Sequence, residues 1–401
     1  MHTNIDNKNI LVIDDSEAIL LVMQTMLNEI GYHNITTTNS PHHAIDMVYA
    51  APERFDVILT DLNMPGYDGM QVVRKLGDMG FKGAIGIISE MDKRIVELAC
   101  EISRQHKVCL VGNLSKPIQM ADLRWLFQKV EQLKERHFRH YLPITKEELV
   151  EAINLSQITP YYQPKLDLRN NKVTGVEVLA RINRPGQVDA MLPGHFIPTA
   201  IAHQLIDRVT LQLVAKAVVD YQRLKRIFGE QIKLCFNLSP SQLSDLDYPD
   251  DLEKMLEQYQ IERNRIVLEI TEEFALKSAI QLESLNRLRM RGYGLSLDDF
   301  GTGYTNLHQL RSLPFTEVKI DRSLIDGLHK DKFSQVVVQS LVDIAESIGI
   351  ELVAEGIEKI ADFEYLQKYY NRITIQGFLL CKPRELQSLS AWHRSWVSNT
   401  A

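Results

Sequence analysis

Short apolar runs alternate with amphipathic, helix-length stretches along most of this 401-residue chain, and that alternation limits the possible folds more than any other feature. Strands separated by helices pair in parallel, with the helices serving as crossovers that cover the sheet. In the N-terminal part the runs lie at 10–13, 35–38, 57–60, 84–88 and 108–111. Five such units predict an α/β domain of the flavodoxin-like, doubly wound kind over residues 1–133. Its last helix starts near Met120 and runs into the charged stretch Lys134-Glu135-Arg136-His137. A linker is expected at 134–145, where this cluster and Pro143 interrupt the pattern. His137 and His140 stand three residues apart within it, but no carboxylate or cysteine joins them, and a solvated helix face is the better reading.

Residues 146–395 have the length of one (β/α)8 barrel, and the pattern favours a TIM-like closed sheet over two small domains. Seven apolar runs, at 173–177, 233–237, 266–269, 294–298, 317–319, 352–355 and 373–376, end in Glu177, Asn237, Glu269, Asp298, Lys319, Glu355 and Gln376. In a parallel barrel every strand C-terminus points to one face. Residues far apart in the chain are then neighbours at one mouth.

A hydrophobic content of 45% can fill more than one core. The net charge of −7 argues against binding to a nucleic-acid polymer, which calls for a basic stripe. An acidic chain that handles a phosphate ester needs bound cations or a few placed arginines. Cys100, Cys109, Cys235 and Cys381 are too scattered for a zinc site or a disulfide framework and fit a reducing compartment. The N-terminus lacks the order of a signal peptide, and no run is apolar for the ~20 residues of a membrane span, so a soluble, cytoplasmic protein is expected.

Asp14 and Asp15 follow the first run, Asp61 the third, Ser89 the fourth and Lys116-Pro117 the fifth. In a doubly wound sheet these strand ends form the ligand edge. Three carboxylates gathered there repel one another unless a hard divalent cation joins them, and Mg²⁺ is the natural candidate. A carboxylate beside it can attack a phosphoryl donor, with Ser89 and Lys116 receiving the transferred oxygens. Val12-Ile13-Asp14-Asp15, Thr60-Asp61-Leu62-Asn63-Met64-Pro65-Gly66, Ser89 and Ser115-Lys116-Pro117 resemble the response-regulator receiver domain. The resemblance implies Asp61 as phospho-acceptor, Asp14 and Asp15 as magnesium ligands with the carbonyl of Asn63, and Ser89 and Lys116 as the switch pair. Asn113 stands where that family usually carries a switch aromatic.

Glu177, Asn237, Glu269, Asp298, Asp299 and Glu355 form a set of hard oxygen ligands suited to Mg²⁺ or Mn²⁺. Adjacent Asp298 and Asp299 allow one carboxylate to bridge two ions about 3.5–4 Å apart, the arrangement that polarises a phosphate and activates water together. Lys319 can hold that water, Glu355 can accept its proton or join the second ion's shell, and Arg181 can clamp a phosphate. Each residue alone reads more naturally as a rim ion pair or a turn. The ordered motifs Tyr162-Gln163-Pro164, Glu177-Val178-Leu179-Ala180-Arg181, Phe236-Asn237-Leu238-Ser239-Pro240, Glu269-Ile270-Thr271-Glu272, Asp298-Asp299-Phe300-Gly301-Thr302-Gly303-Tyr304, Lys319-Ile320-Asp321, Ala354-Glu355-Gly356-Ile357-Glu358 and Gln376-Gly377-Phe378 resemble the EAL-type cyclic di-GMP phosphodiesterases.

That resemblance implies one cation on Glu177, Asn237, Glu269 and Asp298, and a second on Asp298 and Asp299 with help from Glu355. Lys319 and Glu355 then handle the attacking water, Thr271 and Glu272 steady the loop after Asp298, and Gln163, Arg181 and Gln376 contact the substrate. The implied product is linear pGpG. Val178 replaces the signature alanine, Ile182 a frequent tryptophan and Ile201 a commonly acidic residue, and none of these is a metal ligand. A dinucleotide receptor without turnover, or an interaction scaffold controlled through Asp61, are the competing readings. A sensor histidine kinase or phosphotransfer protein is the expected partner, and a dimer or higher homo-oligomer the expected assembly. No Gly-Gly-Asp-Glu-Phe-type cyclase signature and no helix-turn-helix signal is present.

Overall fold

The computed structural model describes residues 8–91, 108–140, 143–184, 186, 189–271, 278–301 and 307–400. The chain divides into two compact units, Met1–Tyr141 and Leu142–Ala401. In the first, strands β1 (Ile10–Ile13), β2 (Ile35–Thr38), β3 (Val57–Asp61), β4 (Ala84–Ser89) and β5 (Cys109–Ser115) pair in the order β2-β1-β3-β4-β5. All pairings are parallel, and β1, β3 and β4 are buried along their full length, as central strands covered on both faces must be. This is the expected flavodoxin-like order. The crossovers leaving β1 and β3 go to opposite sides of the sheet, and the crevice between those strand ends is where such sheets take their ligands.

The helix Gly69–Asp78 starts against the end of β3. Asp68 caps it by accepting a hydrogen bond from Gln71 N at 2.8 Å, and Gly69 N donates to Leu62 O at 3.1 Å. A Cβ at position 69 would lie 2.1 Å from the backbone oxygen of Asp61, so only glycine lets the helix pack this close to the strand end that presents Asp61. The expected linker is largely helical. The helix Met120–His140 runs through the charged stretch because Lys, Glu, Arg and Gln are good helix formers, and Pro143 lies beyond its end. The side chains of His137 and His140 lie outside the described residues. Thr145 then opens the helix Lys146–Asn154 with a reciprocal capping box to Glu148.

The second unit is a closed barrel of β6 (Ile158–Asp167), β7 (Lys172–Ile182), β8 (Lys233–Asn237), β9 (Ile266–Thr271), β10 (Gly294–Phe300), β11 (Glu317–Ile320), β12 (Glu351–Ala354) and β13 (Thr374–Ile375), with β13 returning to β6. It differs in one wall from the wholly parallel barrel expected. β6 is antiparallel to both β7 and β13. Residues 168–171 alone join β6 to β7, too few for a crossover, so the two form a hairpin. The polar residues of β6 lie in mid-strand, out of reach of a pattern that looks for strand ends. Buried Tyr162 donates its hydroxyl to Asp220 at 2.7 Å and ties β6 to the helix Ile206–Phe228.

A second irregularity shapes the mouth. The register between β10 and β11 shifts between Leu297 and Phe300, and Asp299 adopts φ +59°, in the left-handed region. A regular strand sends consecutive side chains to opposite faces. The break at Asp299 instead lets two consecutive carboxylates serve one site. Among the described residues no helix is long and apolar enough to cross a membrane.

Gly69→Ala is expected to destabilise the first unit by about 1–3 kcal/mol through overpacking against Asp61, with the barrel's transition unchanged. Thermal or urea unfolding of the full chain checks this; an unshifted first-unit transition would refute the close-packing argument.

Candidate active site

In the first unit, one carboxylate oxygen each from Asp14, Asp15 and Asp61 lie within 4.8 Å of one another. Asp14 and Asp61 are buried and Asp15 is exposed, so the cluster opens on one side. Lys116 Nζ reaches Asp14 Oδ2 at 2.8 Å and Asp61 Oδ1 at 3.3 Å. Ser16 N donates to Asp14 Oδ1 at 2.9 Å and holds the other edge of that carboxylate. Burial raises the pKa of Asp61, against the pull of Lys116 and with the repulsion of Asp14. Burial opposes the charge of Lys116, yet its bonds to Asp14 and Asp61 keep its pKa above the usual lysine value. Buried Ser89 accepts from Met91 N at 3.0 Å at the end of β4, Asn63 is exposed two residues past Asp61, and Asn113 is exposed on β5.

At the barrel mouth, Lys319 is the centre of the arrangement. Its buried ammonium lies 2.9 Å from Glu269 Oε2, 3.1 Å from Asp298 Oδ1, 2.8 Å from Glu355 Oε1 and 3.9 Å from Glu177 Oε2. Carboxylate oxygens of Asp298, Asp299 and Glu355 also approach within 4.8 Å of one another. Glu177 is fixed by amides: Asn237 Nδ2 donates to Oε1 at 2.8 Å and Gln376 Nε2 to Oε2 at 2.6 Å. With its nitrogen so engaged, Asn237 has its carbonyl oxygen left to offer. Gln376 Nε2 also reaches Gln163 Oε1 at 3.1 Å, and Gln163 Nε2 donates to Cys381 O at 3.0 Å. Gln376 Oε1 is buried without a partner among the described residues and belongs to a residue lining the mouth cavity, an acceptor ready for a ligand. That cavity, about 350 Å³, is also lined by Gln163, Glu177, Arg181, Asp298, Lys319 and Glu355.

Burial is the largest influence on the carboxyls here. It raises the pKa values of Asp298 and Glu355, partly offset by Lys319 and reinforced by the repulsion of Glu269, Glu177 and Asp299 on Asp298 and of Asp298 and Glu177 on Glu355. Glu269 goes the other way, because Lys165 and Lys319 outweigh its burial and hold its pKa below the usual range. The carboxylates likewise keep Lys319 well above the usual lysine value despite burial. A site that both concentrates acid and protonates it is short of cations.

All seven strand-end residues named from the sequence line this mouth or bond to one another there, and Asp299 joins them through the β10 irregularity. Thr271 ends β9, paired in register with Asp298. Arg181 is buried, with its guanidinium over the Tyr161 ring at 5.5 Å and one hydrogen bond to Ala180 O at 2.8 Å. Glu272 and residues 302–306 lie outside the described residues. Sequence reasoning missed Lys165 and Glu317, both buried and both bonded into the network through Lys165 Nζ. A lysine two positions from Gln163, hence on the same face of β6, was the available signal. From the sequence Glu317 is only the start of the run at 317–319.

Residues 146–383 match the EAL domain family, and residues 10–128 match the response regulator receiver domain. The cyclic di-GMP phosphodiesterase RocR of Pseudomonas aeruginosa is 28% identical over 94% of this chain and 96% of its own length. The bifunctional diguanylate cyclase/cyclic di-GMP phosphodiesterase MucR of the same organism is 32% identical over 61% of this chain, but that match covers 36% of MucR. Among solved structures, the PaMucR phosphodiesterase in complex with c-di-GMP superposes with a TM-score of 0.56 at 32% identity, covering 61% of this chain and 98% of that one. The chain therefore belongs to the EAL domain family, with a response regulator receiver domain preceding its barrel.

Proposed function

We propose that the barrel hydrolyses cyclic di-GMP to linear pGpG with two divalent cations, Mg²⁺ or Mn²⁺, and that phosphorylation of Asp61 modulates its turnover. One observation carries the reading: a single buried ammonium, Lys319, stands among four carboxylates at a mouth that offers further oxygen donors. The charges support it. Six carboxylates (Glu177, Glu269, Asp298, Asp299, Glu317 and Glu355) against the ammoniums of Lys165 and Lys319 and the guanidinium of Arg181 leave a formal deficit of three charges, which divalent cations would offset. All donors are hard oxygens, as these metals prefer. The cyclic di-GMP phosphodiesterases among the relatives supply the substrate class.

Glu177, Asn237, Glu269 and Asp298 would hold one cation, and Asp298, Asp299 and Glu355 the other. Such a pair, when bound, polarises a phosphodiester and activates water. The chain's own groups do the rest. Lys319 and Glu355, 2.8 Å apart, are placed to orient the attacking water and to take its proton. Arg181 offers a planar fork to a phosphate, and the amides of Gln163 and Gln376 hold the substrate beside it. Thr271 and Glu272 would steady the loop after β10.

In the receiver, Asp14, Asp15 and the carbonyl of Asn63 would bind Mg²⁺. Asp61 would then take a phosphoryl group from a sensor kinase or phosphotransfer protein, with Ser89 and Lys116 meeting its oxygens.

Purified full-length protein is expected to convert cyclic di-GMP to pGpG with Mg²⁺ or Mn²⁺, and Glu177→Ala and Lys319→Met to reduce kcat by at least about 100-fold, as for groups acting on charge in the reaction. Binding without turnover under both metals would leave a receptor instead. A small phosphodonor is expected to change turnover in the wild type and not in Asp61→Asn; equal responses would sink the coupling.

The pH dependence follows from the raised carboxyls. With pKa values of about 7 for Asp298 and about 8 for Glu355, the site at pH 6.5 holds protons that an entering cation must displace. Calorimetric Mn²⁺ affinity is expected to strengthen from pH 6.5 towards 8.5, by up to about tenfold per unit for each proton displaced. A flat profile would contradict this.

A further inference from the structure

One step deeper in the barrel than the mouth lies a second polar layer that the proposed chemistry does not use. Lys165 on β6 is 2% exposed, and its ammonium donates to Glu269 Oε1 at 2.7 Å and Glu317 Oε1 at 2.8 Å. Ser296 donates to the same Glu317 oxygen at 2.8 Å, so the far anchor of the lysine is itself held. Opposite Lys165 on β7 stands Gly175, where a Cβ would come within 3.7 Å of Lys165 Cδ. At that distance a Cβ would make ordinary van der Waals contact, so the lysine stem lies close against β7.

Glu269 is thus gripped at both oxygens, by Lys165 on Oε1 and by Lys319 on Oε2. The two grips differ in kind. Lys319 shares its protons among Glu269, Asp298 and Glu355, so its bond to Glu269 can be exchanged for one to a neighbour when a cation arrives. Lys165 is committed to Glu317 below. Burying an ammonium this deeply is costly unless acceptors meet it, and these two carboxylates do.

We propose that Lys165 is a positioning residue for the cation site: anchored by Glu317 and Ser296, it holds Glu269 by Oε1 and so turns Oε2 to the mouth as a ligand atom. The inference rests on the reading of Glu269 as a cation ligand. Groups that orient ligands in this way change metal affinity about 10- to 100-fold when removed. The sign of the effect is diagnostic. Lys165 also carries a charge that repels cations, so if charge were its whole contribution, removing it would tighten binding.

The test is calorimetric binding of Mn²⁺ to the metal-free full-length chain. Lys165→Met leaves Glu317 buried without a counter-charge, so Lys165→Met/Glu317→Met, which replaces the pair with apolar side chains of similar length, serves as the second variant. Both are expected to bind Mn²⁺ about 10- to 100-fold more weakly while retaining a cooperative melt. In turnover assays the Mn²⁺ concentration for half-activation rises by the same factor, and kcat at saturating Mn²⁺ stays within a few-fold. Unchanged or tighter binding by the double variant overturns the proposal, as does a fall in kcat with no change in affinity. Glu269→Gln separates the two ideas: wild-type affinity in that variant refutes Glu269 as a ligand, whereas weak binding there with normal binding in the lysine variants refutes only the role of Lys165.

Discussion

The barrel is organised around the ammonium of Lys319 and the carboxylates that surround it. Bringing several acids together inside a protein is unfavourable, because each loses solvation and repels the others. Lys319 offsets part of that cost by standing within 3.1 Å of Glu269, Asp298 and Glu355. The remaining acid is only partly compensated, and the raised pKa values of Asp298 and Glu355 record the shortfall. A site built in this way has a standing demand for positive charge, which is the physical root of its proposed need for divalent cations.

Two departures from regular barrel geometry let these side chains meet. The left-handed backbone at Asp299 breaks the alternation of β10, and Asp298, Asp299 and Glu355 converge as a result. The antiparallel β6 brings Gln163 and Lys165 into the interior from mid-strand, one reaching the amide chain on Glu177 and the other the far oxygen of Glu269. The receiver applies the same logic on a smaller scale. Asp14 and Asp61 share Lys116, and Gly69 allows a helix to press against the strand end that presents Asp61.

Much of this was legible in the amino-acid order. Strand-helix alternation specified both folds, since parallel strands require crossovers and crossovers leave a long, regular trace. The site residues at or near the ends of β8 to β13 were readable for the same reason: parallel strands place their C-termini on one face, so a recurring apolar run closed by a polar residue maps directly onto a ring, whereas β7 runs on to Ile182 and carries Glu177 in mid-strand. Lys165 and Glu317 left no such trace. A lysine within a strand and a glutamate at the start of one look like solvent-facing residues until the partner strand is known. The helix through 134–140 was obscured by the converse ambiguity, because a charge cluster suits a solvated helix as well as a loop.

The sequence by itself determined the two folds, the family resemblance and the inventory of oxygen ligands, because these depend on periodicity and residue type. Tertiary structure alone decided the direction of β6, the convergence of Asp298 and Asp299, and the grip of two lysines on the two oxygens of Glu269. Each of these depends on distances between residues many positions apart and on local backbone angles, which a one-dimensional pattern does not carry. The seven strand ends stated what gathers at the mouth; the structure added that the acid there is held from beneath as well as from above.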